Sequence, residues 1–311
     1  MTGTDGRDGT PGRPPATVTV VIPVRNGADV LHRQLDALAG QTFTGSWEVV
    51  IADNGSTDGS AEVAMRWADR LPGLRVVDAS ARPGVGPARN RGCEESTSEA
   101  VLFCDADDEA SPGWVASMVA ALGDHPIVGG PCRIEDPDGT VVPAPERLGL
   151  TLGLVPFPLG GCFGVWRDVF TEVGGFETDH PEAQAEDAEF CLRAWELGHV
   201  AGFAPGALLT KSRRPDLRST YRQWKGYGTG AMFNACRFRD RGTLRVLVRG
   251  EARLFGWMLV HLPAVRTHEG RMRWVRWGAA KVGWITGYLR YRRLPVAPRP
   301  PGARALVSPP A

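Results

Sequence analysis

The sequence has little of what marks a metal-thiolate, disulfide-rich or membrane-spanning protein. Its six cysteines are scattered, without a Cys-x-x-Cys motif or other paired spacing, so buried free thiols in a reducing cytosol are favoured over disulfides or thiolate metal sites. Residues 1–15 contain no apolar core, which predicts a disordered leader (1–16) rather than a signal peptide. Even the apolar stretches near the C-terminus lack the roughly 20 uninterrupted apolar residues that a transmembrane helix requires.

Positive charge is scarce in the first two-thirds of the chain. Residues 1–203 contain 14 Lys and Arg against 31 Asp and Glu, whereas residues 204–311 contain 22 against 4. This segregation indicates that the C-terminal third meets an anionic partner. At 311 residues and 42% hydrophobic, the chain is long enough to bury a full core and to carry an appendage.

Apolar runs alternate with helical patterns in the first 104 residues. The runs are short and rich in β-branched residues, and they cover residues 18–22, 47–52, 74–77 and 101–104. The helical patterns between them cover residues 28–39, 60–70 and 88–95. This alternation predicts an α/β fold of βαβ units, with a mostly parallel sheet that is flanked by helices. In such folds, ligands bind beyond the C-terminal ends of the strands.

Carboxylates cluster directly after the fourth apolar run. Asp105 and Asp107 are two residues apart, so they project to the same side of an extended segment. They would repel each other unless a cation or a functional proton lay between them. A divalent ion held by carboxylates and substrate phosphates is the usual solution; a solvated acidic turn is the alternative. Asp53 and Asn54 follow the second run, so the predicted sheet would bring these polar groups into one crevice.

Five motifs in order resemble those of the family 2 inverting glycosyltransferases, which have the GT-A fold. They are residues 20–26 (VVIPVRN) with 50–60 (VIADNGSTDGS), residues 84–90 (GVGPARN), the Asp-x-Asp at 105–107, the Gly-Gly-Phe at 174–176, and the Glu-Asp at 186–187. Each motif is weak alone, and together they cover about two-thirds of the chain. The resemblance implies a GT-A catalytic domain over residues 17–205, with a nucleotide-sugar half and an acceptor half.

The resemblance also implies roles for individual residues. Asp187 would be the base that deprotonates the acceptor, and Asp105 and Asp107 would bind Mn²⁺ or Mg²⁺. Transfer to an alcohol requires such a base and a means of stabilising the departing diphosphate, which a metal supplies. In the family, the residue at the position of Asp53 contacts a uracil-type base. The resemblance therefore favours UDP-sugars as donors. The residues that would contact the nucleotide-sugar are Pro23, Val24, Arg25, Asn26, Asp53, Gly86, Arg89, Asn90, Asp105, Ala106, Gly160, Gly161 and Glu186.

Several of these positions also have a purely structural interpretation, which the sequence leaves open. Asp53 could form an Asx turn with Gly55. Arg89 could form a surface ion pair with Glu94 or Glu95. Glu186 and Asp187 could serve only to stabilise the start of a helix. Close to the acidic cluster, Asp108 is expected to cap a helix that begins near Pro112. Gly84 and Gly86 are expected to permit close approach of backbone to the ligand.

Two segments depart from the family pattern. Many relatives place a histidine that completes the metal shell where residues 210–212 read Thr-Lys-Ser, so a third protein ligand is not expected. Lys211 would either touch the diphosphate or lie at the surface. Residues 221–225 (YRQWK) faintly resemble the Gln-x-x-Arg-Trp element of processive polymer synthases, but in a different order, which gives no basis for processivity.

The region 206–293 reads as a basic helical extension, followed by a Pro-rich tail (294–311). At helical spacing, Arg245, Arg249 and Arg253 form one stripe, and a second stretch places Trp277, Trp284 and Tyr288 together. Basic amphipathic helices with aromatic residues are typical of membrane-interface segments. Helices packed on the catalytic domain, or nucleic-acid binding, are the alternatives. We therefore expect a cytoplasmic protein, peripheral at the inner face of an anionic membrane, with no nucleic-acid partner.

The sequence thus predicts a metal-dependent inverting glycosyltransferase acting on a hydroxyl acceptor, such as a lipid-linked cell-envelope glycan precursor in polysaccharide biosynthesis. A sugar-phosphate nucleotidyltransferase is disfavoured because residues 23–27 (PVRNG) do not form a Gly-rich loop with Arg and Lys. A non-catalytic nucleotide- or glycan-binding module is disfavoured because the metal carboxylates and the candidate base are all present.

Overall fold

A computed structural model describes residues 12–136, 140–158, 161–179, 184–213, 216–245, 266–303 and 306. In chain order its strands are β1 (Thr17–Val24), β2 (Ser46–Asp53), β3 (Arg75–Asp78), β4 (Ala100–Phe103), β5 (Asp108–Ala110), β6 (Ile127–Gly129), β7 (Cys132–Glu135), β8 (Val141–Val142), β9 (Gly149–Thr151), β10 (Val155–Phe157), β11 (Phe163–Trp166), β12 (Ala201–Phe203) and β13 (Leu209–Ser212). Its helices are α1 (Leu31–Ala39), α2 (Ser60–Met65), α3 (Val85–Glu94), α4 (Trp114–Leu122), α5 (Arg167–Val173), α6 (Glu186–Leu197), α7 (Leu217–Arg237) and α8 (His268–Tyr291), with a 3₁₀ turn at Arg239–Arg241.

A seven-stranded sheet forms the centre of the fold, in the order β12-β6-β11-β4-β1-β2-β3. β11 runs antiparallel to both of its neighbours, and the other neighbouring strands pair in parallel. The predicted α/β fold with a mostly parallel sheet is confirmed. Since parallel strands end at the same edge, β1, β2 and β4 deliver the loops that follow them to one side of the molecule.

The apolar composition of the central strands explains their position. In β1 and β4 the valines, leucine and phenylalanine are fully buried, because helices and loops cover both faces of the sheet. α2 is shorter than the predicted helix over 60–70. After Met65 the chain continues in tighter turns, with i→i−3 bonds such as Trp67 N–H to the Ala64 carbonyl (3.0 Å). All six cysteines are buried free thiols, as expected.

A second sheet, in the order β5-β13-β7-β8, lies beside the acidic cluster. It places Asp108 in β5, directly opposite Lys211 in β13. The expectation that Asp108 caps the following helix is therefore wrong, because α4 begins at Trp114 with Gly113 at the cap position. β9 and β10 form a separate antiparallel hairpin.

α7 and α8 lie against each other at unusually short range. A Cβ on Gly228 of α7 would lie 2.0 Å from the Ala280 carbonyl oxygen, and one on Gly283 of α8 would lie 2.0 Å from the Lys225 carbonyl oxygen. Only glycine permits such an approach of two backbones. The helix pair is joined to the catalytic core by the buried ion pair of Arg241 with Glu196 (2.7 Å). The alternative of helices packed on the catalytic domain thus applies to much of this region.

The outward face of α8 differs from the predicted aromatic stripe. Of the predicted stripe, Trp284 is half-buried and packs against the core, and Tyr288 is exposed at 39%. Val282, Ile285 and Leu289 are also exposed, at 38%, 53% and 59%. Arg249 and Arg253 of the other predicted stripe lie outside the described residues. Among the described helices, none combines the length and the apolar character needed to cross a membrane. Near the other end of the chain, Arg13 of the predicted leader pairs with Glu99 at 3.0 Å.

Candidate active site

The C-terminal ends of β1 and β2 form a corner of polar loops. Asn26, with a left-handed φ of 52°, donates its N–H to Ser56 Oγ (3.0 Å), and its Oδ1 accepts the Thr57 N–H (2.9 Å). Asp53 Oδ1 accepts the Ser56 N–H at 2.8 Å. Asp53 therefore supports the turn after β2, but through a bond three residues on and not through the Asx turn with Gly55. This corner collects the predicted nucleotide residues Pro23, Val24, Arg25, Asn26 and Asp53. Their contact with a base stays a prediction.

Two residues of the GVGPARN motif pack against protein in this structure. A Cβ on Gly86 would lie 2.8 Å from the Glu177 carbonyl oxygen, so the missing side chain makes room for backbone of this chain. The Asn90 amide donates to the Phe176 carbonyl (2.9 Å) and accepts the Phe176 N–H (2.8 Å). Both residues thus have packing partners within the chain, and their contact with a nucleotide-sugar stays a prediction. Phe176 itself lies 5.3 Å from the ring of Phe190 in α6, which anchors the Gly-Gly-Phe segment under the site.

Arg89 is buried between two carboxylates. Its side chain is 4% exposed, and it donates to Asp105 Oδ1 at 2.7 Å and to Glu186 Oε1 at 2.8 Å. The surface pair with Glu95 is made instead by Arg91, at 2.5 Å. Arg89 thus connects α3, the loop after β4 and the start of α6.

Lys211 is the second cation of the site. Its ammonium lies 3.2 Å from Asp105 Oδ2, and 3.0 and 2.8 Å from the two carboxylate oxygens of Asp108. Burial alone would raise the pKa of Asp105, but the charges of Lys211 and Arg89 outweigh it and hold that pKa below its usual range. For Asp108, burial dominates and raises the pKa well above its usual range, although Lys211 opposes the shift. Of the two alternatives for Lys211, the surface position is therefore wrong.

The acidic cluster can hold a divalent metal ion. One ligand oxygen from each of Asp105, Asp107 and Asp108 lies within 4.8 Å of the others, a spacing that suits a hard cation with oxygen ligands. Lys211 already compensates two of these carboxylates. The donor set therefore fits a metal that shares the cluster with an ammonium group and is completed by substrate oxygens.

Asp187 lies in the first turn of α6, next to Glu186. Its Oδ1 accepts the Ala188 N–H at 2.7 Å. Burial and then the neighbouring charge of Glu186 raise the pKa of Asp187 to about 7, although Arg89 opposes the shift. A carboxylate with this pKa can take up a proton near neutral pH. The helix-start interpretation is geometrically correct, and it is compatible with a role as base.

Two glycines, Gly161 and Gly27, bring backbone close to the acidic cluster. A Cβ on Gly161, which has φ of +80°, would lie 2.6 Å from the Asp105 carboxyl carbon, so only glycine fits there. A Cβ on Gly27 would lie 3.8 Å from the Ala106 Cβ, which places Ala106 between the nucleotide corner and the cluster. The predicted contact at Gly160 lies outside the described residues.

A cavity of about 810 Å³ opens beside the cluster. Asp105, Asp107, Asp187 and Lys211 border it, together with side chains of α7, of β7 and of the β9–β10 hairpin, and with Arg213 and Arg276. Sequence reasoning missed the contribution of α7. The YRQWK segment was the available signal, since Gln223 and Trp224 both face this cavity.

Comparisons with known proteins identify the family of the chain. The profile described as Glycosyl transferase family 2 matches residues 19–174, and that described as Glycosyl transferase family group 2 matches residues 147–295. The uncharacterized glycosyltransferase YibD of Escherichia coli is 40% identical over 108 residues, which cover 34% of this chain and 31% of YibD. A pre-mycofactocin glycosyltransferase of Mycobacterium tuberculosis is 28% identical over 285 residues, covering 84% of this chain and 56% of the relative. The chain thus spans only part of the length of these curated relatives.

A solved structure shares the fold. The mannosyltransferase PcManGT from Pyrobaculum calidifontis, in complex with GDP-Man and Mn²⁺, superposes with a TM-score of 0.62 at 18% identity. The superposition covers 89% of this chain and 88% of that one. At this level of identity the likeness shows the GT-A fold.

Proposed function

The chain belongs to glycosyl transferase family 2, and from that premise we propose that it transfers a sugar from a nucleotide-sugar to a hydroxyl acceptor with inversion. One observation carries the proposal. Asp187, whose carboxylate has a pKa of about 7, lines the same cavity as the acidic cluster. A proton acceptor and a diphosphate-binding centre are the two parts that sugar transfer requires.

The donor would lie along the carboxyl edge of the central sheet. The nucleoside would occupy the corner formed by Pro23, Val24, Arg25, Asn26 and Asp53, and the diphosphate would lie beside Asp107. The Lys211 ammonium would then face both the carboxylates and the diphosphate. UDP-sugars are the proposed donors, and GDP-mannose, which the Pyrobaculum neighbour binds, is the competing donor to test.

A divalent metal, Mn²⁺ or Mg²⁺, would be held by Asp107 with Asp105. When bound, it would stabilise negative charge on the departing diphosphate. Arg89 does not need to touch the donor in this proposal. It holds Asp105 and Glu186 in place from below the site, through its bonds of 2.7 and 2.8 Å.

Asp187 would act as the base. Its carboxylate would take the proton of the acceptor hydroxyl while the hydroxyl oxygen forms a bond to the anomeric carbon. The bond from that carbon to the diphosphate oxygen breaks at the opposite face, so the configuration inverts. The electron pair leaves with the nucleoside diphosphate, next to the positive charge of Lys211.

The acceptor is proposed to be lipid-linked and to be met at a membrane surface. On α8, the exposed side chains of Val282, Ile285 and Leu289 form one stripe, and exposed Arg290 and Arg292 follow near its end. Apolar side chains flanked by arginines suit the boundary between head groups and acyl chains of an anionic leaflet. Such recruitment raises the effective concentration of a lipid-linked substrate.

The experiment that tests the function is a panel of nucleotide sugars, each with and without Mn²⁺ or Mg²⁺. The correct donor should raise the melting temperature because it binds only the folded state. With that donor, Asp187→Asn should lower transfer by roughly 10²–10⁴-fold while donor binding survives. Asp168→Asn is the matched control, since Asp168 Oδ1 likewise accepts the next N–H (2.7 Å) at the start of α5. Normal transfer by Asp187→Asn would exclude Asp187 as the base.

A further inference from the structure

One face of α7 lines the cavity beyond the acidic cluster. Thr220, Trp224, Tyr227, Ala231 and Asn234 all border the cavity, and their spacing of three or four residues places them on one side of the helix. At 1.5 Å per residue, this face extends over about 21 Å. The cavity is therefore an elongated site with a continuous helical wall.

Two polar side chains on this face are buried without a partner. Asn234 is 1% exposed, and neither its Nδ2 nor its Oδ1 has a hydrogen-bond partner. Thr220 is 3% exposed, and its Oγ1 also has none. Burying an amide without hydrogen bonds is costly, so such a group in a native fold requires an explanation. Both side chains border the cavity, so a rotation of each toward it would let a bound ligand satisfy these polar atoms.

Much of the cavity wall is apolar, although Arg213 and Arg276 also border it. The Trp224 and Tyr227 rings meet edge to face, with centroids 5.8 Å apart. Leu150, Leu152 and Phe157 of the β9–β10 hairpin also border the cavity. Aliphatic side chains offer no hydrogen bonds to the hydroxyls of a sugar ring, whereas they favour hydrocarbon.

The nucleotide corner is separate from this cavity. Pro23, Arg25 and Asp53 are not among the described residues that line it, whereas Asp107 and Asp187 are. The cavity thus begins where the reacting atoms would lie and extends away from the nucleotide. On the proposed function, that is the place of the acceptor.

We propose that this cavity is the acceptor site and that it binds an alcohol carried by an apolar aglycone. The apolar part lies between Trp224, Tyr227 and the β9–β10 hairpin. A polar group of the acceptor bonds to the Asn234 amide and to the Thr220 hydroxyl. This inference rests on the proposed function and adds where the acceptor binds and which residues hold its apolar part.

The test compares two probes with the same sugar hydroxyls, hexyl β-D-glucoside and methyl β-D-glucoside. Their binding to the UDP-saturated full-length protein is measured by titration calorimetry. Hexyl glucoside should bind roughly 10- to 100-fold more tightly, since each buried methylene contributes favourably. Trp224→Ala should remove most of this preference. Tyr221→Ala, on the same helix but not facing the cavity, is the control and should keep it.

Equal binding of the two probes, tighter binding of methyl glucoside, or no binding of either would overturn the proposal. UDP binding and hydrolysis of the donor in the absence of acceptor are measured in parallel. If the wild-type protein lacks both, the proposed function itself fails. If it has both and the probes show no preference, only the acceptor class is wrong.

Asn234→Leu separates a ligand-binding role from a structural one. The substitution removes both unpaired polar atoms at nearly constant volume, so the melting temperature should stay the same or rise. Hexyl glucoside should nevertheless bind about 3- to 10-fold more weakly, the effect of losing one hydrogen bond. A lower melting temperature with unchanged probe binding would show that Asn234 serves the fold, and would contradict its assignment to the acceptor.

Discussion

Lys211 provides a sharp test of how charge is arranged at the site. Its ammonium contacts Asp105 at 3.2 Å and Asp108 at 2.8 and 3.0 Å, so a metal ion entering the cluster competes with it for carboxylate oxygens. Displacing one hydrogen bond between charged groups costs about 1.5–3 kcal/mol, and each 1.4 kcal/mol is about tenfold in affinity. Lys211→Met should therefore bind Mn²⁺ roughly 10- to 100-fold more tightly than the wild type when no donor is present.

The same substitution should destabilise the metal-free protein. The Asp108 side chain is only 2% exposed, and Lys211→Met leaves it without its cation. Breaking a buried ion pair by removing one partner costs at most about 3–5 kcal/mol. The loss should be smaller here, because burial already raises the pKa of Asp108 and the carboxylate can take up a proton; urea unfolding in the presence of a chelator would measure it. Added Mn²⁺ should restore part of this loss, because the ion binds only the folded state.

The assay is direct Mn²⁺ binding, by electron paramagnetic resonance of the free ion, for the wild type and two variants. Lys225→Met is the control, since it makes the same chemical change on α7. The reasoning is refuted if Lys211→Met binds Mn²⁺ no more tightly than the wild type, or if Lys225→Met shows the same gain.

Four further predictions concern the metal, the base, the helix pair and the membrane. Asp107→Ala should abolish the metal dependence of UDP binding in calorimetry, because the carboxylate that faces the diphosphate is lost. Since only ionised Asp187 can accept a proton, kcat/KM should rise with pH to a plateau with an apparent pKa of about 7; a plateau already reached at pH 5 would contradict the assignment. Gly283→Ala should lower the melting temperature because its Cβ would lie 2.0 Å from the Lys225 carbonyl oxygen, whereas Gly278→Ala, with nothing within 4 Å, should raise stability by about 1 kcal/mol. The full-length protein should co-sediment with anionic liposomes at low salt and dissociate as salt rises; Ile285→Glu should weaken this binding and Met65→Glu, equally exposed but on α2, should not.

Local sequence patterns were sufficient to predict the four parallel strands β1 to β4 and the edge where their loops converge, but not β6, β11 and β12. The apolar runs at 18–22 and 101–104 became β1 and β4 with ends shifted by one or two residues. A buried strand is specified by its own composition, and parallel strands necessarily end on one side. The proximity of the Asp105 cluster to the β1–β2 corner follows from these two facts.

Partners that are far apart in the chain could not be predicted in the same way. The bonds of Arg89 to Glu186 and of Lys211 to Asp108 join residues separated by 97 and 103 positions. The cap proposed for Asp108 was wrong because a neighbouring strand, β13, competes for that segment. Gly86 illustrates the same limit, since a glycine that admits ligand and one that admits backbone look identical in a sequence.

The separation between Asp108 and Lys211 has a consequence for how the chain is made. At roughly 5–20 residues per second, translation reaches the lysine about 5–20 s after the acidic cluster. During that interval water and Arg89 can contact the carboxylates of the nascent chain, but the ammonium group of Lys211 is not yet present. β5 cannot pair with β13 until the latter has left the ribosome. The acidic half of the site is therefore synthesised before its ammonium partner. A chain released before residue 211 would keep the pair of Arg89 with Asp105 but would leave Asp108 without a cation.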